Sequence, residues 1–402
     1  MTDLPYASHR SLAKRIAVLA AGHGAVDFYI PVISAVLPVL LPIFAEQGIT
    51  SYAISGFLVT AITITLAVVQ PVAGWLQDRG GWTVGASWCI LLTAIAISCF
   101  AFVQNYWLLL CLAVVAGLGN AMFHPNAYQQ IYQFSTPANR GTLLSVFSVG
   151  GSFGYGAAPL VTGALLVWAG LPALIYLIIP GIVVAFIISR FPQKPVHEPS
   201  SSVEYSREEN HANWGSAGLM LGISSLRTWV YYGFLTFATV YLTTYAGIEY
   251  FFATVLVTGM FYAGMIATLV AGVSSDKLGR KEILLISYAC SVPAYLGIFL
   301  LPSPFSLLSL LVAGFFLMAP ATIEIATVQE MMPGSVGLAS GIVIGIPQAL
   351  SAVAIVVIGV VADTIGMPEA LAIQSVLMVA AVVLCVFLPY PLRLWKNDAK
   401  RI

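Results

Sequence analysis

The sequence predicts an all-α membrane protein of twelve transmembrane helices, arranged as two pseudo-symmetric bundles of six. Three observations lead there: a shortage of charge, a regular succession of apolar runs, and a turn motif that recurs half a chain later. Of the 402 residues, 59% are hydrophobic and 8% are charged, whereas a soluble globular chain carries about 25% charged residues. So little charge does not cover the surface of a water-soluble protein of this size, and the apolar excess must face lipid. The formal net charge is zero, which gives no basis for nucleic-acid binding.

The apolar runs come first. A helix needs about 20 apolar residues to cross the hydrocarbon core, and such runs begin near residues 14, 51, 82, 105, 140, 172, 214, 250, 282, 304, 335 and 368. The first follows Arg10, Lys14 and Arg15. It is too long for a cleaved signal peptide and reads as a membrane span. Connections are short and carry Pro, Gly or Asn, as in Gln104-Asn105 and Leu301-Pro302-Ser303. Aromatic residues such as Tyr52, Trp82, Trp107, Trp168, Trp214 and Trp395 sit at the boundaries, where amphipathic rings favour the membrane interface. The long polar stretch 192–213, with Pro192, Pro195, Pro199 and a serine run, reads as a flexible linker. It divides the chain into bundles at 1–191 and 214–402.

Orientation follows from the basic residues. Three precede the first run, eight fall in even-to-odd connections and four follow the last run, which puts 15 of the 16 on one side. The opposite connections hold only the acids Glu46, Glu249, Asp363 and Glu369. By the positive-inside rule both termini are cytoplasmic. The five cysteines, Cys89, Cys99, Cys111, Cys290 and Cys385, lie in apolar runs without metal-ligand spacing and read as small packing residues. No metal or cofactor site is expected.

The recurring turn reads Gly74-Trp75-Leu76-Gln77-Asp78-Arg79 in one copy and Gly272-Val273-Ser274-Ser275-Asp276-Lys277-Leu278-Gly279-Arg280-Lys281 in the other. The aspartates are 198 residues apart, the mark of an internal repeat. Glycine admits close helix approach, and an acid favours the positive end of a facing helix. On these residues the chain resembles the major facilitator superfamily over nearly its whole length. Within it the chain is similar to the fosmidomycin-resistance-protein group of bacterial drug exporters, through His23-Gly24-Ala25-Val26-Asp27, Gln70-Pro71-Val72-Ala73-Gly74, Phe123-His124-Pro125 and Gln329-Glu330-Met331-Met332-Pro333-Gly334. The resemblance implies gating roles for Gly74, Asp78, Gly272, Asp276 and Arg280.

The fifth run places Gly154, Ala158-Pro159 and Thr162-Gly163 on a pattern similar to the superfamily's antiporter motif, GxxxGPxxGG. A bent, tightly packed sealing helix and ordinary small-residue packing are both open readings of Gly154, Pro159 and Gly163. The neighbouring Gly150, Gly151 and Gly156 do not form a nucleotide loop, because no strand precedes them. Ala113 stands where many proton-coupled exporters of the superfamily carry arginine.

Ionisable residues inside membrane spans are costly, so each is a functional candidate. Here they are His23, Asp27, His124, Arg227 and Glu324, with Glu330 near a boundary. Asp27 and Arg227 are 200 residues apart, as are His124 and Glu324. Each pair should therefore occupy equivalent places in the two bundles, beside one water-filled path. His23 and Asp27, at i and i+4, share a helix face and suit proton loading and release. The alternative is a permanent Asp27–Arg227 lock. Arg227 stays charged and must meet an anion, from substrate or protein. Glu324 is open to a cationic group, a second proton or Arg227, and His124 to the substrate cavity or to a kink beside Pro125.

The resemblance implies a secondary active transporter without cofactor: a monomeric, multi-pass protein of the bacterial inner membrane. It would export a small drug-like or metabolite molecule in exchange for protons by alternating access. Proton-coupled uptake of a small organic anion, and a non-transporting transceptor or scaffold of the same fold, are the alternatives. No nucleophile–base pair or metal cluster suggests an enzyme.

Overall fold

A computed structural model describes residues 9–80, 84–134, 140–191, 213–332 and 336–389. The described residues are almost wholly helical, and they form two compact units. One comprises those of Met1–Gly48 and Ala61–Ser202. The other comprises those of Ile49–Thr60 and Val203–Ile402.

In the first stretch of chain, α1 (His9–Phe28) and α2 (Ile30–Glu46) follow one another across Tyr29 and form the first span. Pro31 causes the break. It has no N–H to offer the carbonyl four residues back, that of Asp27, and its ring crowds the same carbonyl. Then come α3 (Tyr52–Gly80), α4 (Ala86–Ser98) extended by a 3-10 turn at Cys99–Ala101, α5 (Tyr106–Phe134) and α6 (Arg140–Ala169). A 3-10 segment, Leu171–Leu177, leads into α7 (Ile178–Ser189).

The later half repeats the sequence of spans. It contains α8 (Trp214–Val240) with a π turn at Tyr241–Tyr245, α9 (Tyr250–Leu278), α10 (Arg280–Leu300), and α11 (Phe305–Met318) followed by α12 (Ala321–Met331). The last elements are α13 (Val336–Ile365), α14 (Met367–Ala372) and α15 (Ser375–Val386). Pro320 separates α11 from α12 as Pro31 separates α1 from α2.

Twelve spans result. Among the described residues, ten helical segments are long and apolar enough to cross a membrane. The remaining two are Ala86–Ala101, which is apolar but shorter, and α8, which has the length but carries Ser224, Ser225, Arg227 and Thr228 mid-helix. Helix starts fall within a few residues of those expected from the apolar runs. The first departs most, at His9 rather than 14, and the third begins at Ala86 rather than 82, with residues 81–83 outside the described set.

The first unit is organised around α1 against α6. A Cβ on Gly154 would collide with the carbonyl of Gly24, and one on Gly150 would collide with that of Ala20. Only glycine allows this approach, and the gain is close backbone packing where no hydrophobic effect drives helices together. Beneath it Ile16, Leu19, Val26, Ile90, Phe123 and Phe147 form a buried cluster.

In the second unit, Asp363 near the end of α13 caps the start of α3. It accepts from Ser51 Oγ at 2.5 Å and from the Tyr52 N–H at 2.6 Å, supplying an acceptor for the otherwise unpaired donors of a helix N-terminus. Tyr52 and Tyr245 meet hydroxyl to hydroxyl at 2.9 Å. Lys281 is buried with its ammonium on the carbonyls of Val386 and Leu388, both at 2.7 Å. A cation thus sits at the C-terminus of α15, where the helix dipole favours it.

Candidate functional site

Two buried polar clusters stand out, one in each unit. In the first, the last two turns of α1 carry His23 and Asp27 on one face, and α5 presents Asn120 and His124. His23 Nε2 lies 3.0 Å from Asp27 Oδ2, and His124 Nε2 lies 3.6 Å from Asp27 Oδ1. Asn120 Nδ2 donates to Asp27 Oδ1 at 3.1 Å and to the Val26 carbonyl at 3.2 Å. Asp27 has only imidazoles as possible cationic partners among the described residues.

Backbone carbonyls set the two tautomers. His23 Nδ1 is 2.8 Å from the Phe147 carbonyl, and His124 Nδ1 is 3.0 Å from that of Asn120. A carbonyl only accepts, so each Nδ1 must carry the hydrogen. In the neutral rings both Nε2 atoms then present lone pairs, 3.3 Å from each other and beside a carboxylate. Electron-rich atoms so placed need a positive charge among them, and the three donor atoms lie within 4.8 Å of one another, which suits one small cation.

The packing that permits this is specific. A Cβ on Gly151 would lie 2.5–2.7 Å from the His23 ring atoms, so the imidazole lies directly on α6 at a position without a side chain. Phe147 stacks on the same ring at a centroid distance of 4.0 Å.

The second cluster is an ion pair. Arg227 of α8 donates through Nε to Glu324 Oε1 at 2.6 Å and through Nη2 to Oε2 at 2.8 Å. Its Nη1 reaches the Leu317 carbonyl at 3.2 Å. Ser224 Oγ and Tyr288 OH also donate to Glu324, each at 2.6 Å. The carboxylate therefore accepts four hydrogen bonds while 2% exposed, and Arg227 is 7% exposed. This bidentate geometry, with further donors on both oxygens, is what a buried pair needs to offset desolvation.

Of the residues expected from the sequence, His23 and Asp27 do share a face and a contact. His124, expected in the substrate cavity or at a kink, also meets Asp27. The structure gives Arg227 the protein anion Glu324, leaving Asp27 to the imidazoles. The offset puts these residues on corresponding spans in chain order, and each unit pairs its own members: first span with fourth, seventh with tenth. His124 was missed as a partner of Asp27 because it is 97 residues away in sequence and no local spacing links them. Asn120 carried no signal at all, being an uncharged residue four before His124.

Of the gating residues, Arg280 bonds Glu330 at 2.6 Å through Nη2 and approaches Asp276 at 3.5 Å. Gly279 at the turn has φ 117°, a conformation natural only to glycine. Gly272 stands 3.5 Å, at its built Cβ, from Thr322 Oγ1, and Gly74 3.8 Å from Pro125. The side chain of Asp78 lies outside the described residues. Gly154, Ala158, Pro159, Thr162 and Gly163 are all buried on α6. Because the Arg280 cluster is partly solvated, Arg280→Ala is expected to cost no more than about 1 kcal/mol. Thermal unfolding in detergent checks this, and a large fall in melting temperature would contradict it.

Twelve spans in two repeated six-helix sets, with an ion pair buried inside one of them, define a multi-pass membrane protein of two related halves. The chain belongs to the Major Facilitator Superfamily, whose family model matches residues 27–344. It is similar to the MFS-type transporter YfnC of Bacillus subtilis (strain 168), at 25% identity over 82% of this chain and 83% of that one. It is also similar to the fosmidomycin resistance protein of Escherichia coli (strain K12), at 21% identity over 82% and 83% of the two chains. Among solved structures, a bacterial homologue of the human lysosomal transporter Spinster superposes with a TM-score of 0.73 at 17% identity, covering 96% of this chain and 97% of that one. At that identity the likeness concerns the fold.

Proposed function

We propose that this chain exports a small drug-like or metabolite molecule by alternating access, driven by protons moving inward. Its similarity to the fosmidomycin resistance protein supports the direction and the class of cargo. The observation that carries the coupling is the contrast between the two clusters. Glu324 accepts four hydrogen bonds, two of them from the guanidinium of Arg227, so it is committed to a partner that stays charged. Among the described residues Asp27 faces only imidazoles and one amide, and an imidazole is the side chain suited to take up or release a proton near neutral pH. His23 and Asp27 are the pair that takes the proton. Arg227, Glu324 and His124 border the cavity, and Gly74, Asp78, Gly272, Asp276 and Arg280 act at the gating turns. Gly154, Pro159 and Gly163 form the sealing helix.

The transporter works as a monomer in the bacterial inner membrane with both termini cytoplasmic. Its bundles, 1–191 and 214–402, are joined by a cytoplasmic linker.

The test is compound-induced proton flux in proteoliposomes across a panel of drugs and metabolites. Wild type is expected to move protons with at least one compound, and Asp27→Asn to lose at least 90% of that flux, roughly a tenfold effect. Undiminished flux in Asp27→Asn would remove Asp27 as the coupling group. Flux in the symport sense would favour uptake over export.

A further inference from the structure

We infer that His23, Asp27 and His124 form a binding site for a single divalent transition-metal ion of the zinc class. The inference goes beyond the transport reading and does not depend on it, because it stands on the arrangement of ligand atoms alone.

Zinc binds imidazole nitrogen and carboxylate oxygen at about 2.0–2.2 Å in tetrahedral geometry, which sets neighbouring ligand atoms about 3.3 Å apart. Here the two Nε2 atoms are 3.3 Å apart. The carboxylate offers one oxygen to each imidazole, at 3.0 Å from His23 and 3.6 Å from His124. One ligand atom from each of the three side chains lies within 4.8 Å of the other two, close enough for a single ion to draw all three together. The two rings stand at 88° to each other with centroids 5.1 Å apart, so their edges rather than their faces meet at the gap.

The surroundings match those of a metal site. A ligating histidine characteristically donates its other ring N–H to a carbonyl or carboxylate, which fixes the tautomer and raises basicity. Both imidazoles do so, to Phe147 and Asn120. Asn120 Nδ2 steadies the carboxylate at 3.1 Å. Three protein ligands leave a fourth position for water, the pattern of exchangeable rather than structural zinc. The carboxylate keeps 17% of its surface exposed, which leaves a way in. Imidazole and carboxylate together select zinc, cobalt or nickel over calcium and magnesium, which prefer all-oxygen sites.

The experiment uses the purified full-length protein in detergent, titrated with Zn²⁺ against a chromophoric chelator, and with Co²⁺ followed by visible absorption. The remaining histidines, His9, His197 and His211, are replaced by glutamine so that they do not contribute. One Zn²⁺ per chain is expected, with affinity falling more than about 100-fold in His23→Ala or His124→Ala. In Asn120→Ala it should fall roughly 10–100-fold, as for other groups that hold metal ligands in place.

His124→Cys guards against loss of fold. It should retain Co²⁺ and add a thiolate-to-cobalt charge-transfer band, which only direct ligation produces. Absence of stoichiometric Zn²⁺ binding, or binding unchanged by both alanine substitutions, overturns the inference. Proton flux that is lost in Asp27→Asn, in a protein that binds no Zn²⁺, would overturn this site and leave the transport reading intact. Zn²⁺ bound at the triad without proton flux for any compound would do the reverse.

Discussion

Glu324→Ala is expected to destabilise the protein by about 3–5 kcal/mol, the largest effect of any single substitution considered for the second unit. The alanine leaves Arg227 charged, 7% exposed and stripped of both carboxylate bonds. It also orphans the hydroxyls of Ser224 and Tyr288, which donate to the same group. Thermal unfolding in detergent should register a loss of many degrees and poor recovery from the membrane. The double replacement Arg227→Met with Glu324→Leu should restore most of that loss, since apolar residues of similar size often replace a buried pair at little cost. A single alanine variant that melts like the wild type would mean that the pair does not hold α8 to α12.

Gly154→Val should be nearly as damaging, for a steric reason. The first atom of any side chain there would collide with the Gly24 carbonyl, which belongs to backbone and has nowhere to go. Overpacking of this kind costs about 1–3 kcal/mol, occasionally more. Separating α1 from α6 would also move His23 off the Phe147 carbonyl. Gly218→Ala is the control. Nothing lies within 4 Å of its built Cβ, and an alanine in a helix is expected to be neutral or stabilising by about 0.4–1 kcal/mol. Melting temperatures of the two variants should therefore move in different directions. Equal behaviour would show that the α1–α6 contact is looser than described.

The sequence made some of this legible and hid the rest, for identifiable reasons. Span positions were readable because lipid tolerates only long apolar helices whose backbone is internally bonded, and hydropathy reports that without knowledge of neighbours. The His23–Asp27 contact was readable because i, i+4 spacing is local. The first span's break was not anticipated, although Pro31 stands in plain sight: a proline in a membrane helix either kinks or interrupts it, and packing decides which. The partner choices were the least readable. Four ionisable residues at a 200-residue offset can be joined within units or between equivalent helices, and the offset alone does not choose. Glu324 was left with three options in sequence, and Ser224 and Tyr288, which complete its shell, are ordinary polar residues in apolar runs.

The two clusters lie on corresponding spans but are built differently. In one unit the first span carries both the acid and an imidazole, and the fourth adds a second imidazole; in the other the seventh span carries the cation and the tenth the acid. A buried ion left without its partner is costly in a low-dielectric interior, and each partner here belongs to its own half. The halves are therefore no longer spare copies of one another: a change in either cluster can be compensated only within that half.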